Sequence, residues 1–153
     1  MGGYSDFLSE LLERTYYSVI QIEEHMVKGA KSLNLSIGEI HLIEAVAKGQ
    51  EEGKTISELS EMQSISLPSV TLAINKLVKK GYVIKNKSPQ DGRVVNVTLT
   101  KRGQKVNNVH QHFHKLMIAS VTDALSQEEL DAMVKGIVKL NEFLEKKAEK
   151  VEK

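Results

Sequence analysis

The sequence predicts a mainly helical fold with one small β-hairpin, and three observations carry that prediction. Residues 36–39 (SIGE), 55–58 (TISE) and 126–129 (SQEE) have the pattern of capping boxes, where a hydroxyl and a carboxylate at a helix start satisfy two backbone amides. One Asp-Gly pair, Asp91-Gly92, lies between runs rich in Val and Lys, a hairpin signal in which Gly supplies positive φ. Both ends of the chain carry apolar side chains at helical spacing.

Element by element, residues 4 to about 31 place Leu8, Leu11, Leu12, Val19, Ile22 and Met26 on one helical stripe. Ser36 opens a second helix whose buried face is Ile40, Ile43, Val46 and Ala47. Residues 48–54, with Gly49 and Gly53, read as a loop. Thr55 opens a short helix through Leu59 and Met62. In the following SISLPSVTLAINKLVKKG, Ser66 is the N-cap, Pro68 stands in the first turn where its missing N–H costs nothing, and Gly81 stops the helix. YVIKNK and VVNVTLT read as two strands around the turn. Thr100 caps a long helix through about Leu125. Ser126 opens the last one, with Leu130, Met133, Val134, Ile137, Asn141 and Leu144 on one stripe. Two short helices joined by a tight turn, the second polar and basic, followed by a hairpin, make a winged helix-turn-helix with N- and C-terminal dimerisation helices. Its lobe is expected over residues 36–100, and the helical dimerisation region over 1–35 and 101–153. The end helices carry more apolar surface than the middle of the chain can cover, so a homodimer is expected.

The 153 residues hold no cysteine, which excludes disulfides, Cys-ligated zinc and thiol nucleophiles. No apolar run approaches a membrane span, and MGGYSDFLSELLER is too acidic for a signal peptide, so a cytoplasmic setting is expected. Between positions 66 and 115 ten Lys or Arg face one acid, Asp91, leaving the remainder at −8 against a total of +1. Such segregation points to one region built to meet a polyanion.

On the helix over 66–80, Val70, Ile74, Leu77 and Val78 share an inward stripe. Ser69, Leu72, Ala73, Lys76 and Lys80 lie opposite, flanked by Pro68, Thr71 and Asn75. Ser66, Ser69 and Thr71 suit base edges or phosphates, Leu72 a thymine methyl, and Lys76, Lys79, Lys80 and Lys87 phosphates. At the turn, Arg93 suits a narrow minor groove, and Asp91 is placed to hold its guanidinium.

With these elements in order the chain resembles the MarR family of winged-helix regulators. Asp91-Gly92-Arg93, then Leu99-Thr100 and Lys101-Arg102-Gly103, match the family's wing. Gly92 departs from it, since relatives often carry a second arginine there. Within the family the likeness leans to the fatty-acid-biosynthesis repressor (FabT-like) subgroup, on "IEE" at 22–24, "SIGEIH" at 36–41, "QDGRVV" and "HFHKLM" at 112–117. The resemblance implies an obligate dimer on a pseudo-palindromic double-stranded DNA operator, repression as the default, and acyl-acyl carrier protein as co-repressor.

An acyl pocket is expected among Val19, Ile22, Ile40, His41, Ile43, His110, Phe113, His114 and Met117, with Arg102, Lys105 and Lys115 as a basic patch for the acidic carrier protein. The alternative is zinc on Glu24, His41, His110 and His114, since His110 and His114 share a helix face and some relatives sense zinc from these helices. An enzyme is not expected. The chain has no Gly-rich phosphate loop and no nucleophile turn.

Overall fold

Local chemistry sets the helix starts in this computed structural model, which describes residues 3–151. The elements are α1 (Gly3–Gly29), a 3-10 turn (Lys31–Leu33), α2 (Ile37–Ala47), β1 (Lys54–Thr55), α3 (Ile56–Gln63), α4 (Leu67–Lys79), β2 (Val83–Lys87), β3 (Val95–Leu99), α5 (Lys101–Ala124) and α6 (Gln127–Val151). Both halves of the capping boxes at Ser36 and Thr55 form, and Ser126 exchanges the same bonds with Glu129. Ser66 caps α4 with Pro68 in the first turn. At the far end Gly81 takes φ +78, its N–H bonding Val78 O and that of Tyr82 bonding Leu77 O. These two bonds are a Schellman ending, which favours glycine because a side chain at positive φ is strained.

Helix α1 stops at Gly29, slightly before the expected end, and the 3-10 turn carries the chain to Asn34 in a left-handed conformation. Asparagine tolerates that region better than most residues. Strands β2 and β3 pair antiparallel from Val83 opposite Leu99 to Lys87 opposite Val95. The expected plain loop over 48–54 is corrected, because it ends in β1, which pairs Lys54 with Val97 and gives the strand order β1-β3-β2. Two residues carry no periodicity, so nothing in the local pattern marks this strand. Gly53 makes the pairing possible: it sits at φ +76, and a Cβ there would strike the Val97 carbonyl.

The chain divides into two compact units, one running to Val109 and one from His110 onward. The first unit holds one core, with Ile40, Ile43, Leu59, Ile74, Leu77, Tyr82 and Val97 all buried and Val106 of α5 joining them. That α5 residue explains why the unit reaches beyond 100. Gly103 also belongs to it, lying so close that a Cβ would collide with the Tyr82 carbonyl oxygen. The second unit comprises the rest of α5 and α6, with Val121, Val134, Ile137, Phe143 and Leu144 exposed. Among the described residues no helix is long and apolar enough to cross a membrane.

Candidate nucleic-acid interface

Helix α4 turns Val70, Ile74 and Leu77 into the core and leaves Pro68, Ser69, Asn75, Lys76 and Lys79 exposed. Leu72 is 59% exposed on the same face. Val78, expected inward, is at the surface, because the helix ends there and the stripe runs off the core. Ser66 is spent locally: its Oγ accepts from the Ser69 N–H at 3.4 Å and donates to Ser69 Oγ at 2.8 Å. Thr71 Oγ1 donates back to Leu67 O at 2.8 Å. Asn75 Oδ1 accepts from Lys85 Nζ at 2.6 Å, which ties the wing strand β2 to α4.

Lys80 does not stand free as a phosphate contact. Its Nζ donates to both Glu39 oxygens, at 2.7 and 2.8 Å, and to Asn34 O at 2.7 Å. Burial pushes the Glu39 carboxyl up, but the Lys80 hydrogen bond, the Ser36 amide and the Lys80 and Lys76 charges outweigh it and hold it below its ordinary 4.5. Arg102 is committed too. Its Nη1 donates to Lys80 O at 2.9 Å and its guanidinium lies 4.4 Å over the Tyr82 ring. All three residues of the expected basic patch, Arg102, Lys105 and Lys115, are exposed.

At the wing tip, Val94 N–H bonds Asp91 O at 2.9 Å and Ser88 N–H bonds Val94 O at 2.8 Å. Asp91 Oδ1 accepts from the backbone N–H of Arg93 at 2.9 Å, correcting the expected bond to the guanidinium. A short carboxylate reaches the amide two residues on more readily than a long side chain's end. Gly92 is also corrected: Gly53 and Gly81 are the positive-φ glycines among the described residues, and a Cβ at Gly92 would meet nothing. Arg93 and Lys87 are exposed.

Of the residues expected around an effector, Ile40 and Ile43 are filled core positions, Ile22 is exposed and Val19 half-buried. His41 Nε2 lies 3.4 Å from Glu23 Oε1. Glu23 is buried, whereas Glu24 is exposed and pairs with Lys28 at 3.6 Å. Helical periodicity separates these adjacent acids, since Glu23 lies beside the Val19, Ile22 and Met26 stripe and Glu24 about 100° further round. In the second unit His110 stacks near Phe113 and meets His114 edge-on at 4.5 Å, with Met117 half-buried further along α5.

An exposed second helix, its tight turn, and a hairpin tied to it by Lys85 and Asn75 define a winged helix-turn-helix module. A family model described as transcriptional regulator SarA/Rot matches residues 26–110, and the chain belongs to that family of MarR-like winged-helix regulators. It is 35% identical to Streptococcus pneumoniae FabT in a crystal structure with DNA, over 93% of this chain and 98% of that one, at a TM-score of 0.87. Among curated relatives, PchR of Bacillus subtilis (strain 168) is 28% identical over 109 residues, 69% of this chain and 63% of PchR. SarZ of Staphylococcus epidermidis is 30% identical over 87 residues, 57% of each. The chain therefore spans less than two thirds of the length of these two regulators.

Proposed function

We propose that the chain is a homodimeric, sequence-specific DNA-binding repressor acting at a pseudo-palindromic operator. The observation that carries this is the exposed α4 surface, with Ser69, Leu72, Lys76 and Lys79 open to solvent and β2 fastened beside it. The full-length likeness to FabT, which was solved with DNA, supports it. In this reading Lys76, Lys79 and Lys87 meet phosphates, Ser69 and Leu72 meet base edges, and Arg93 enters the minor groove.

Selection of bound duplexes from random sequences, followed by titration across salt concentrations, tests it. The expected result is a palindrome with half-sites about one helical turn apart, and affinity falling steeply with salt. Flat salt dependence and no enriched sequence would sink the DNA reading.

The finer reading assigns fatty-acid-synthesis genes as targets and acyl-acyl carrier protein as co-repressor. The FabT likeness supports this choice, with exposed Lys105 and Lys115 available to an acidic carrier. Titrating acyl-acyl carrier proteins of several chain lengths, with and without operator, tests it: operator affinity should rise with the loaded carrier and ignore the unloaded one. Zinc is the second reading, favoured by the Glu23–His41 carboxylate–histidine pair, and its test is the same titration with the metal alone.

A further inference from the structure

Resting on the DNA-binding reading, we infer that Lys80 and Tyr82 are positioning residues: they latch the α1–α2 junction to the trailing end of α4 and touch no DNA. Three acceptors, Asn34 O and both Glu39 oxygens, lie within 2.8 Å of the Lys80 ammonium. Its charge is matched by Glu39, which is itself the N3 residue of the α2 capping box. A phosphate would have to compete with these acceptors for the ammonium. Two residues on, Tyr82 is 0% exposed and its hydroxyl donates to Leu33 O at 2.6 Å.

Leu33 and Asn34 are consecutive residues of the short junction between α1 and α2. Bonds from the end of α4 therefore seize that junction at two adjacent carbonyls. The latch is backed from behind by Arg102, which holds Lys80 O and covers the Tyr82 ring. Its bonds join residues 41 to 49 positions apart, through a buried ring and a matched ion pair. A shift of the junction must displace the α4 terminus or break them, so the pose of the DNA-reading helix is set from the end of α1.

The test compares Lys80→Met, Tyr82→Phe and Lys76→Met for binding to a duplex recovered by selection, across salt concentrations. Because the chain has no cysteine, Ser32→Cys in the 3-10 turn takes a single fluorescent label. Lys80→Met and Tyr82→Phe are expected to weaken binding on the order of fivefold with the salt slope unchanged. Lys76→Met is expected to lower the slope by about one. The label should respond to duplex in the parent and lose that response in both latch variants at saturating duplex.

Circular dichroism at the assay temperature checks folding. If Lys80→Met does not fold, Tyr82→Phe, which keeps the ring and every charge, decides alone. A slope change of about one in Lys80→Met, or unchanged affinity and label response in Tyr82→Phe, would overturn the latch. A parent protein without salt-dependent duplex binding overturns instead the DNA reading on which the latch rests.

Discussion

At the wing turn Asp91 closes the hairpin through its carbonyl, to Val94 N–H, and through its carboxylate, to Arg93 N–H. Gly92 is thus held between two bonds that do not need its lack of a side chain, at ordinary φ and with open space where a Cβ would stand. Gly92→Arg is therefore expected to fold as well as the parent and to steepen the salt slope of duplex binding by up to about one unit. Arg93→Ala is expected to cost about 1–3 kcal/mol of affinity. Equilibrium titration at matched salt, with thermal melts beside it, checks both, and a destabilised Gly92→Arg would show the turn does require glycine. The pairing of Asp91 with Arg93 was legible because it spans two residues, but the atom it takes, the backbone amide rather than the guanidinium, was not. Lys80 and Arg102 were not, since their partners lie 41 and 22 positions away and only the folded chain brings them together. Gly103 was visible as part of a motif, yet its reason, the Tyr82 carbonyl against its Cα, exists only in the packed structure.

The three capping boxes connect local pattern to element stability. Their carboxylates, Glu39, Glu58 and Glu129, are among the described residues the three whose pKa is held below the ordinary value. For Glu58 the leading cause is the Thr55 amide, and for Glu129 the Ser126 amide. Only Glu39 adds a tertiary partner, Lys80, so it alone links one helix start to another helix end. A carboxylate with a depressed folded-state pKa makes the unfolded chain the stronger proton binder. Its stabilisation is complete above the unfolded value, near 4.5, and is lost as pH falls through the folded value. Glu39→Gln is expected to lower stability at neutral pH and to flatten the acid limb below about pH 4.5, leaving the contributions of Glu58 and Glu129. Urea melts at a series of pH values measure this, and an acid limb as steep as the parent's would place the proton uptake elsewhere. These helix starts were readable because a cap is complete within four residues. Strand β1 was not, because a two-residue strand is defined wholly by its pairing with Val97 and Asn96.

For the molecule as a whole, charge and apolar surface divide the chain between two tasks. The basic span over 66–115 holds α4 and the wing, while the acidic remainder includes α1 and α6, whose apolar side chains stay uncovered. Tyr4, Phe7, Tyr16 and Tyr17 on α1, and Val134, Ile137, Val138 and Phe143 on α6, are all more than two-fifths exposed. Apolar faces of this extent mark an interaction surface rather than a solvated helix. In the dimeric reading proposed above, the partner is a second copy, whose two-fold axis would present each face twice and place two α4 helices on one palindromic operator. Leu12→Glu puts a charge into the α1 face and Ile137→Glu one into the α6 face, without touching the core around Ile74 and Tyr82. Both are expected to shift the sedimentation coefficient toward the monomer and to weaken the dependence of melting temperature on protein concentration that the dimeric parent shows. Duplex affinity should fall by about 10²-fold or more, since each half-site would then be bound without the effective concentration its neighbour supplies. A parent that sediments as a monomer at all concentrations, or variants that keep full affinity, would mean that one lobe reads its site alone.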